Sequence, residues 1–378
     1  MKTLHDPIRC IIPPHMLKNI LINGNNAQKK VALAGITGSA QFRAHRQALA
    51  ESIAYLIPGA AGGKQRKVYT SDGGNSLPGK LVRDEGGGPT NDPAVNEAYD
   101  GAGATYDLYW EVYKRNSLDG NGLRLDSTVH FQKNYDNAFW SGEQMVYGDG
   151  DGQLFNRFTL AVDVIGHELT HGVTQYTDNL NYSDQSGALN ESFSDIFGSL
   201  VKQRQQGQGA TDADWLIGEG LFTSNVKGVA LRSMKAPGTA YDDPILGKDP
   251  QPAHMRDYVD ISDDNGGVHI NSGIPNHAFY LMATAIGGFA WEKTGNIWYV
   301  SARDKFTSNT DFQNAADLTF QTAGELYGQG SAEQQAVKFG WDGVGIAIGA
   351  LDQPQSSGCL GASASLMRSL LSGNLKGK

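Results

Sequence analysis

A chain of 378 residues with a net charge of −9 is long enough for two or three domains and a sizeable core. The negative charge is spread along the chain, which leaves no footprint for nucleic acid, and no apolar run reaches the length of a membrane span. Two cysteines, Cys10 and Cys359, make no disulfide framework, and 48 glycines, nearly twice the usual share, predict a chain rich in turns and connectors.

Four parts follow in chain order. Residues 1–60 form an N-terminal segment containing Ile11-Ile12-Pro13-Pro14-His15-Met16-Leu17 and a predicted helix around 39–57. Its first residues, Met1 to Ile22, lack the basic start and apolar core of a secretory signal. Residues 61–160 read as short strands and turns with one helical stretch near 103–115. Residues 161–350 are mainly helical, with Gly- and Asp-rich connectors at 205–213 and 236–267. A tail, 351–378, carries Pro354, Ser356, Ser357, Gly358 and a helix-capable run at 361–371. No internal repeat stands out.

The most specific stretch is His167-Glu168-Leu169-Thr170-His171. On a helix, residues four apart share a face, so His167 and His171 offer two imidazoles to one metal ion. Glu168 sits beside them, placed to act on a metal-bound water without being a ligand. The apolar lead-in from Ala161 to Ile165 predicts a buried helix. A second predicted helix, 188–201, has Leu189, Phe193, Ile196, Phe197 and Leu200 on one side and carries Glu191, a carboxylate third ligand. Three protein ligands leave a fourth position for water, which is the ligand set of a catalytic zinc site.

Around that core the chain resembles the thermolysin family of neutral metalloproteases, from about residue 75 to 350. The resemblance rests on Asn137-Ala138-Phe139-Trp140 with Met145 to Asp151, on Asn181-Tyr182, on Leu231-Arg232-Ser233-Met234, and on Asp264 through Gly273. It implies an α+β fold of two lobes, β-rich then helical, with zinc in the cleft between them, and a monomeric endopeptidase acting on proteins and peptides. By resemblance Glu168 is the general base, Tyr182 and His269 stabilise the oxyanion, and Asp264 fixes the ring of His269. Asn137, Ala138 and Arg232 hold the peptide backbone. Asp195 and Asn190 orient the zinc histidines. Phe155, Phe158, Val164 and Leu231 line an apolar pocket for the residue after the cut.

The family's double calcium site corresponds to Asp163, Asp214 and Glu219, with two further acidic positions replaced by Lys202 and Leu216. One calcium ion is expected there, the lysine standing in for a second cation. The loop from Phe222 to Val229 has no carboxylate for another.

The N-terminal segment resembles the short propeptide of protealysin-like precursors. That resemblance implies an inhibitory contact through Pro13, Pro14 and Leu17, threaded extended through the cleft until cleavage around 50–65. Cys10 offers a different latch, a thiolate on the zinc. Export by a non-standard route is expected, with a zymogen retained in the cytoplasm as the alternative. A zinc aminopeptidase would need an acidic anchor for a free amino terminus, and no motif supplies one. A non-catalytic binding protein would have lost Glu168, Tyr182 or His269, and all three are present.

Overall fold

The computed structural model describes residues 10–37 and 63–349. The helices expected at 39–57 and 361–371 lie outside the described residues. The first lobe is built on a five-stranded sheet: β1 (Arg66–Thr70), β2 (Lys80–Asp84), β3 (Leu125–Val129), β4 (Ala138–Trp140) and β5 (Met145–Tyr147), in the order β2-β1-β3-β5-β4. β1 pairs antiparallel with β2 and parallel with β3, and β5 pairs parallel with β3 and antiparallel with β4. β4 is therefore an edge, with one row of backbone groups open to another strand.

Two helices open the chain: α1 (Pro14–Asn23) and α2, residues 26–37. The extended path expected through Pro13 to Leu17 is not what forms. Pro13 is extended, at φ −65° and ψ 148°, but Pro14 takes the first helical position, where its missing N–H costs nothing. The helix then buries Met16, Leu17 and Ile20 on one face.

The helix expected near 103–115 is α3, Pro93–Asp107, continued by a π-helical turn at Leu108–Val112. Its start is written in Asp92-Pro93, an N-cap whose side chain accepts from the Ala94 amide at 3.0 Å followed by a proline in the first turn. Gly101 and Gly103 blur the periodicity, yet a Cβ on Gly101 would stand 2.4 Å from Ile165 Cδ1, so this glycine lets α3 lie against the next helix.

The second lobe holds α4 (Val162–Gln175), α5 (Asp184–Gln206), α6 (Asp264–Asn271), α7 (Gly273–Ile286), α8 (Lys293–Asp304), α9 (Phe312–Tyr327) and α10 (Ala332–Gly343). α5 outruns the expected 188–201 at both ends and stops at Gly207, whose φ of 64° suits glycine. α4 and α5 cross where Gly166 meets Gly198. A Cβ on Gly198 would lie 2.3 Å from the Asp163 carbonyl oxygen and 3.0 Å from the His167 nitrogen. This closeness brings Glu191 on α5 within reach of the histidines on α4. Between α5 and α6 run irregular connectors with two short hairpins, β6 (Leu216–Ile217) with β7 (Arg232–Ser233) and β8 (Asp242–Asp243) with β9 (Gly247–Lys248).

Candidate active site

His167 and His171 stand one turn apart on α4, fully buried, with their Nε2 atoms 3.1 Å apart. Glu191 Oε2 lies 3.5 Å from His167 Nε2, and Glu191 Oε1 lies 3.3 Å from His171 Nε2. Among the described residues this trio is the one cluster of metal-ligand side chains. The other ring nitrogens are committed: His167 Nδ1 to Asp195 Oδ1 at 2.8 Å, His171 Nδ1 to Asn190 Oδ1 at 2.8 Å and to Ser194 Oγ at 3.0 Å. Asn190 is held the right way round because its Nδ2 donates to the Leu180 carbonyl at 3.2 Å. With the proton on each Nδ1, two Nε2 lone pairs and a carboxylate face one another in a buried space. Glu191 Oε2 has no hydrogen-bond partner among the described residues. Such a set is repulsive unless a cation sits among its members, and two imidazoles with one carboxylate fit zinc.

Glu168 is buried on the same helix, and its Oε2 accepts the Trp140 backbone N–H of β4 at 2.9 Å. That bond ties the carboxylate to the edge strand. Across the cleft, His269 Nδ1 donates to Asp264 Oδ1 at 2.7 Å, while the His269 amide donates to Asp264 Oδ2 at 3.0 Å. Burial opposes charge on this ring, but Asp264 and Glu191 raise its pKa to about 9, which keeps Nε2 a donor. The Tyr182 hydroxyl donates to Glu191 and lies 3.3 Å from His269 Nε2. Asp264 and Asn265 have φ of 54° and 52°, so the tight turn at the head of α6 aims Asp264 back at its own histidine.

Arg232 is buried on β7 and forks onto Asp195, Nε to Oδ2 and Nη2 to Oδ1, both at 2.8 Å. Burial alone would raise the Asp195 carboxyl; Arg232 and His167 instead hold it down at about 2. Asn276 adds a donor to Asp195 Oδ2 at 2.8 Å. Spacing alone could not have found the Trp140 amide, the Asp195–Arg232 fork or Asn276, because each joins segments far apart in the chain.

The cleft is filled by the chain's own N-terminal segment. Cys10 bridges antiparallel to Phe139, and the Ile11 amide donates to the Ala138 carbonyl at 3.2 Å. The Ile12 amide donates to Asn137 Oδ1 at 3.1 Å, Arg232 Nη1 donates to the Ile11 carbonyl at 3.2 Å, and His269 Nε2 donates to the Cys10 carbonyl at 3.1 Å. The backbone hydrogen bonds to the cleft are thus made by Cys10, Ile11 and Ile12. Pro13, Pro14 and Leu17, expected to make this contact, instead cap and build α1. The Cys10 side chain packs with Phe131, Tyr135, Phe139 and Val146, outside the metal-ligand cluster, which removes the basis for a thiolate latch. Downstream, His15 Nε2 meets the Tyr241 hydroxyl at 2.9 Å and Asn19 Nδ2 donates to the Leu246 carbonyl at 2.8 Å. Phe155, Phe158, Val164 and Leu231 share one buried apolar cluster with Ile11.

The carboxylates expected to hold calcium surround an ammonium. Lys202 Nζ lies 2.7 Å from Asp214, 3.3 Å from Glu219 and 3.7 Å from Asp163. The second oxygen of Asp214 accepts the Leu216 amide, and both oxygens of Asp163 accept backbone amides, of Val164 and Gly218. The ammonium thus meets all three carboxylates at once.

Two family models match the chain: the thermolysin metallopeptidase catalytic domain over residues 60–175 and the thermolysin metallopeptidase alpha-helical domain over residues 178–346. An extracellular metalloprotease of Pectobacterium carotovorum subsp. carotovorum is 48% identical over 343 residues, covering 90% of this chain and 97% of that protein. Protease PrtS of Photorhabdus sp. (strain Az29) is 46% identical, covering 92% of this chain and 95% of its own length. Among solved structures, the precursor of protealysin, a metalloproteinase from Serratia proteamaculans, superposes with a TM-score of 0.82 at 50% identity, over 90% of this chain and all of that one.

Proposed function

Because this chain belongs to the thermolysin family of metallopeptidases and is a zinc-dependent endopeptidase made as a precursor, we propose which of its residues carry the reaction and how the precursor silences it. His167, His171 and Glu191 hold the zinc, with Asp195 and Asn190 fixing the two rings. Zinc bound there supplies a water of lowered pKa and a polarised carbonyl. Glu168 takes the proton from the attacking water and passes it to the leaving nitrogen. Tyr182 and His269 donate to the oxygen that gains negative charge, His269 being held in place by Asp264. Asn137, Ala138 and Arg232 bind the substrate as an added strand on β4. The pocket of Phe155, Phe158, Val164 and Leu231 favours an apolar residue after the cut.

The single observation that carries this reading is the path of Cys10–Ile12. A piece of peptide lies along β4 with its backbone bonded to the residues assigned to substrate, and one of its carbonyls faces His269. The same observation favours an endopeptidase over an aminopeptidase, because Cys10 continues the strand pairing to the far side of that carbonyl. It also accounts for latency: residues 1–60 act as a propeptide to a β-rich lobe, 61–160, and a helical lobe, 161–350, with 351–378 as a tail. Asp163, Asp214 and Glu219 hold a single calcium ion, with Lys202 standing in for a second cation. The mature enzyme works as a monomer, and it works outside the cell, as the printed name of the extracellular metalloprotease suggests. Purified protein should digest casein once processed, stop with a chelator and recover with zinc; digestion that persists without metal would overturn the assignment.

A further inference from the structure

The N-terminal segment sits in the cleft in a definite register, and the register singles out one peptide bond. Of its carbonyls, that of Cys10 is the one 3.1 Å from His269 Nε2, beside the Tyr182 hydroxyl and the zinc-ligand trio. The next amide, Ile11, is bonded to Ala138, and the next carbonyl, of Ile11, to Arg232. On the reading above, on which this inference rests, the carbonyl facing His269 is the one attacked. Ile11 is then the first residue after the cut, and it is 0% exposed among apolar side chains. An apolar residue is what the pocket favours. Nothing about the segment is a poor substrate: direction, register and side chain are those of a peptide to be hydrolysed.

We propose that the Cys10–Ile11 bond is a substrate of the chain's own active site, and that the segment beginning at Ile11 stays docked after the cut. Water adds its oxygen to the Cys10 carbonyl carbon and the C–N bond breaks. Both water protons end on the Ile11 nitrogen, the first passed by Glu168, leaving a Cys10 carboxylate and an Ile11 ammonium; no other reactant is needed. The contacts that anchor the segment lie beyond the cut and do not depend on the broken bond. Met16, Leu17 and Ile20 are buried, His15 holds Tyr241 and Asn19 holds the Leu246 carbonyl. A product tethered in this way remains at a high effective concentration. The first cut is therefore silent, and activity waits for a second, further along, that frees α1.

The test uses the full-length chain loaded with zinc, followed by intact mass, N-terminal sequencing and hydrolysis of a quenched reporter peptide. A species beginning at Ile11 should appear at a rate independent of protein concentration, before reporter hydrolysis rises, and should be absent from Glu168→Gln. In zinc-loaded Glu168→Gln, which cannot cut, Ile11→Asp should raise the affinity for a peptide hydroxamate at least tenfold, because a buried carboxylate without a partner expels the segment. Reporter hydrolysis with no Ile11-terminated species overturns the proposal, as does an unchanged hydroxamate affinity in Ile11→Asp. Failure of reporter hydrolysis even by the processed chain would strike the peptidase reading instead.

Discussion

The docked segment carries a titratable group that substrates lack, and its environment sets a pH at which the latch loosens. His15 is half-buried against the catalytic part of the chain: its Nε2 meets the Tyr241 hydroxyl at 2.9 Å, and its buried Nδ1 has no partner among the described residues. Burial, followed by the nearby His269, Arg232 and Lys18, lowers its pKa from 6.5 to about 4, with Asp264 pulling the other way. A group whose docked pKa is depressed favours docking above its free pKa, and that contribution is lost as the pH falls from 6.5 towards 4. At pH 5 a free imidazole of pKa 6.5 is disfavoured for docking by about 33-fold and the docked one recovers only about 1.1-fold, so docking weakens about thirtyfold, or about 2 kcal/mol. Inhibitor affinity of a mostly docked chain scales inversely with docking. Zinc-loaded full-length Glu168→Gln should therefore bind a peptide hydroxamate about thirtyfold more tightly at pH 5 than at pH 7.5, relative to the same chain with His15→Gln at both pH values. The ratio removes the active site's own titrations. Equal pH dependence in the two chains would refute the reasoning.

Four further outcomes follow. Glu168→Gln in the processed enzyme should keep zinc by metal analysis and lose ~10²–10⁴ of peptide turnover; a loss within about tenfold would remove Glu168 as the base. Lys202→Ala should destabilise the protein by about 3 kcal/mol in denaturant titration, the low end for a broken buried pair because Glu219 is exposed while Asp163 is not. A metal inventory should show at most one calcium ion, and two or more would displace the lysine from its proposed role. Cys10→Ala should change the hydroxamate affinity of full-length Glu168→Gln by less than about tenfold, the scale of lost apolar packing; a larger gain would return the latch to the thiol.

What was legible in the sequence was local. His167 and His171 declare themselves by helical spacing, Glu191 by the apolar face of its own helix, and the two-lobed α+β fold by resemblance over most of the chain. What was not legible depends on which segments meet. Gly166 and Gly198 are plain in the sequence, but only the crossing of α4 and α5 shows that a methyl group at Gly198 would collide with the Asp163 carbonyl. Pro13-Pro14 was read as an extended pair, because a proline that begins a helix and one that prolongs a strand look alike until Met16, Leu17 and Ile20 find a surface to bury against. The start of α3 was hidden differently: Asp92-Pro93 is a local signal, outweighed by glycines that make room for Ile165 at Gly101 and for Arg66 at Gly103. Lys202 was recognisable as a changed charge, yet its position among three carboxylates follows from α5 meeting the loop that carries Asp214 and Glu219.

One carboxylate explains why the latch must be controlled away from the chemistry. Asp195 holds the ring of His167 and both arms of the Arg232 fork, and against the effect of burial these partners keep it ionised down to about pH 2. Arg232 is in turn the residue that grips the Ile11 carbonyl. On the proposed assignments, metal geometry, substrate binding and self-inhibition share a single fork, and a change that loosens the segment there also loosens the substrate and the zinc. A precursor that is to be released without harming the enzyme has to be weakened where no substrate reaches. Those places are on α1 and just ahead of it in the chain: the His15–Tyr241 contact, the Asn19 bond to the Leu246 carbonyl, and the buried face of Met16, Leu17 and Ile20. Of these only His15, once released, changes charge between pH 7 and pH 5, which makes it the point at which acidity acts on the latch while Asp195 and its fork stay as they are.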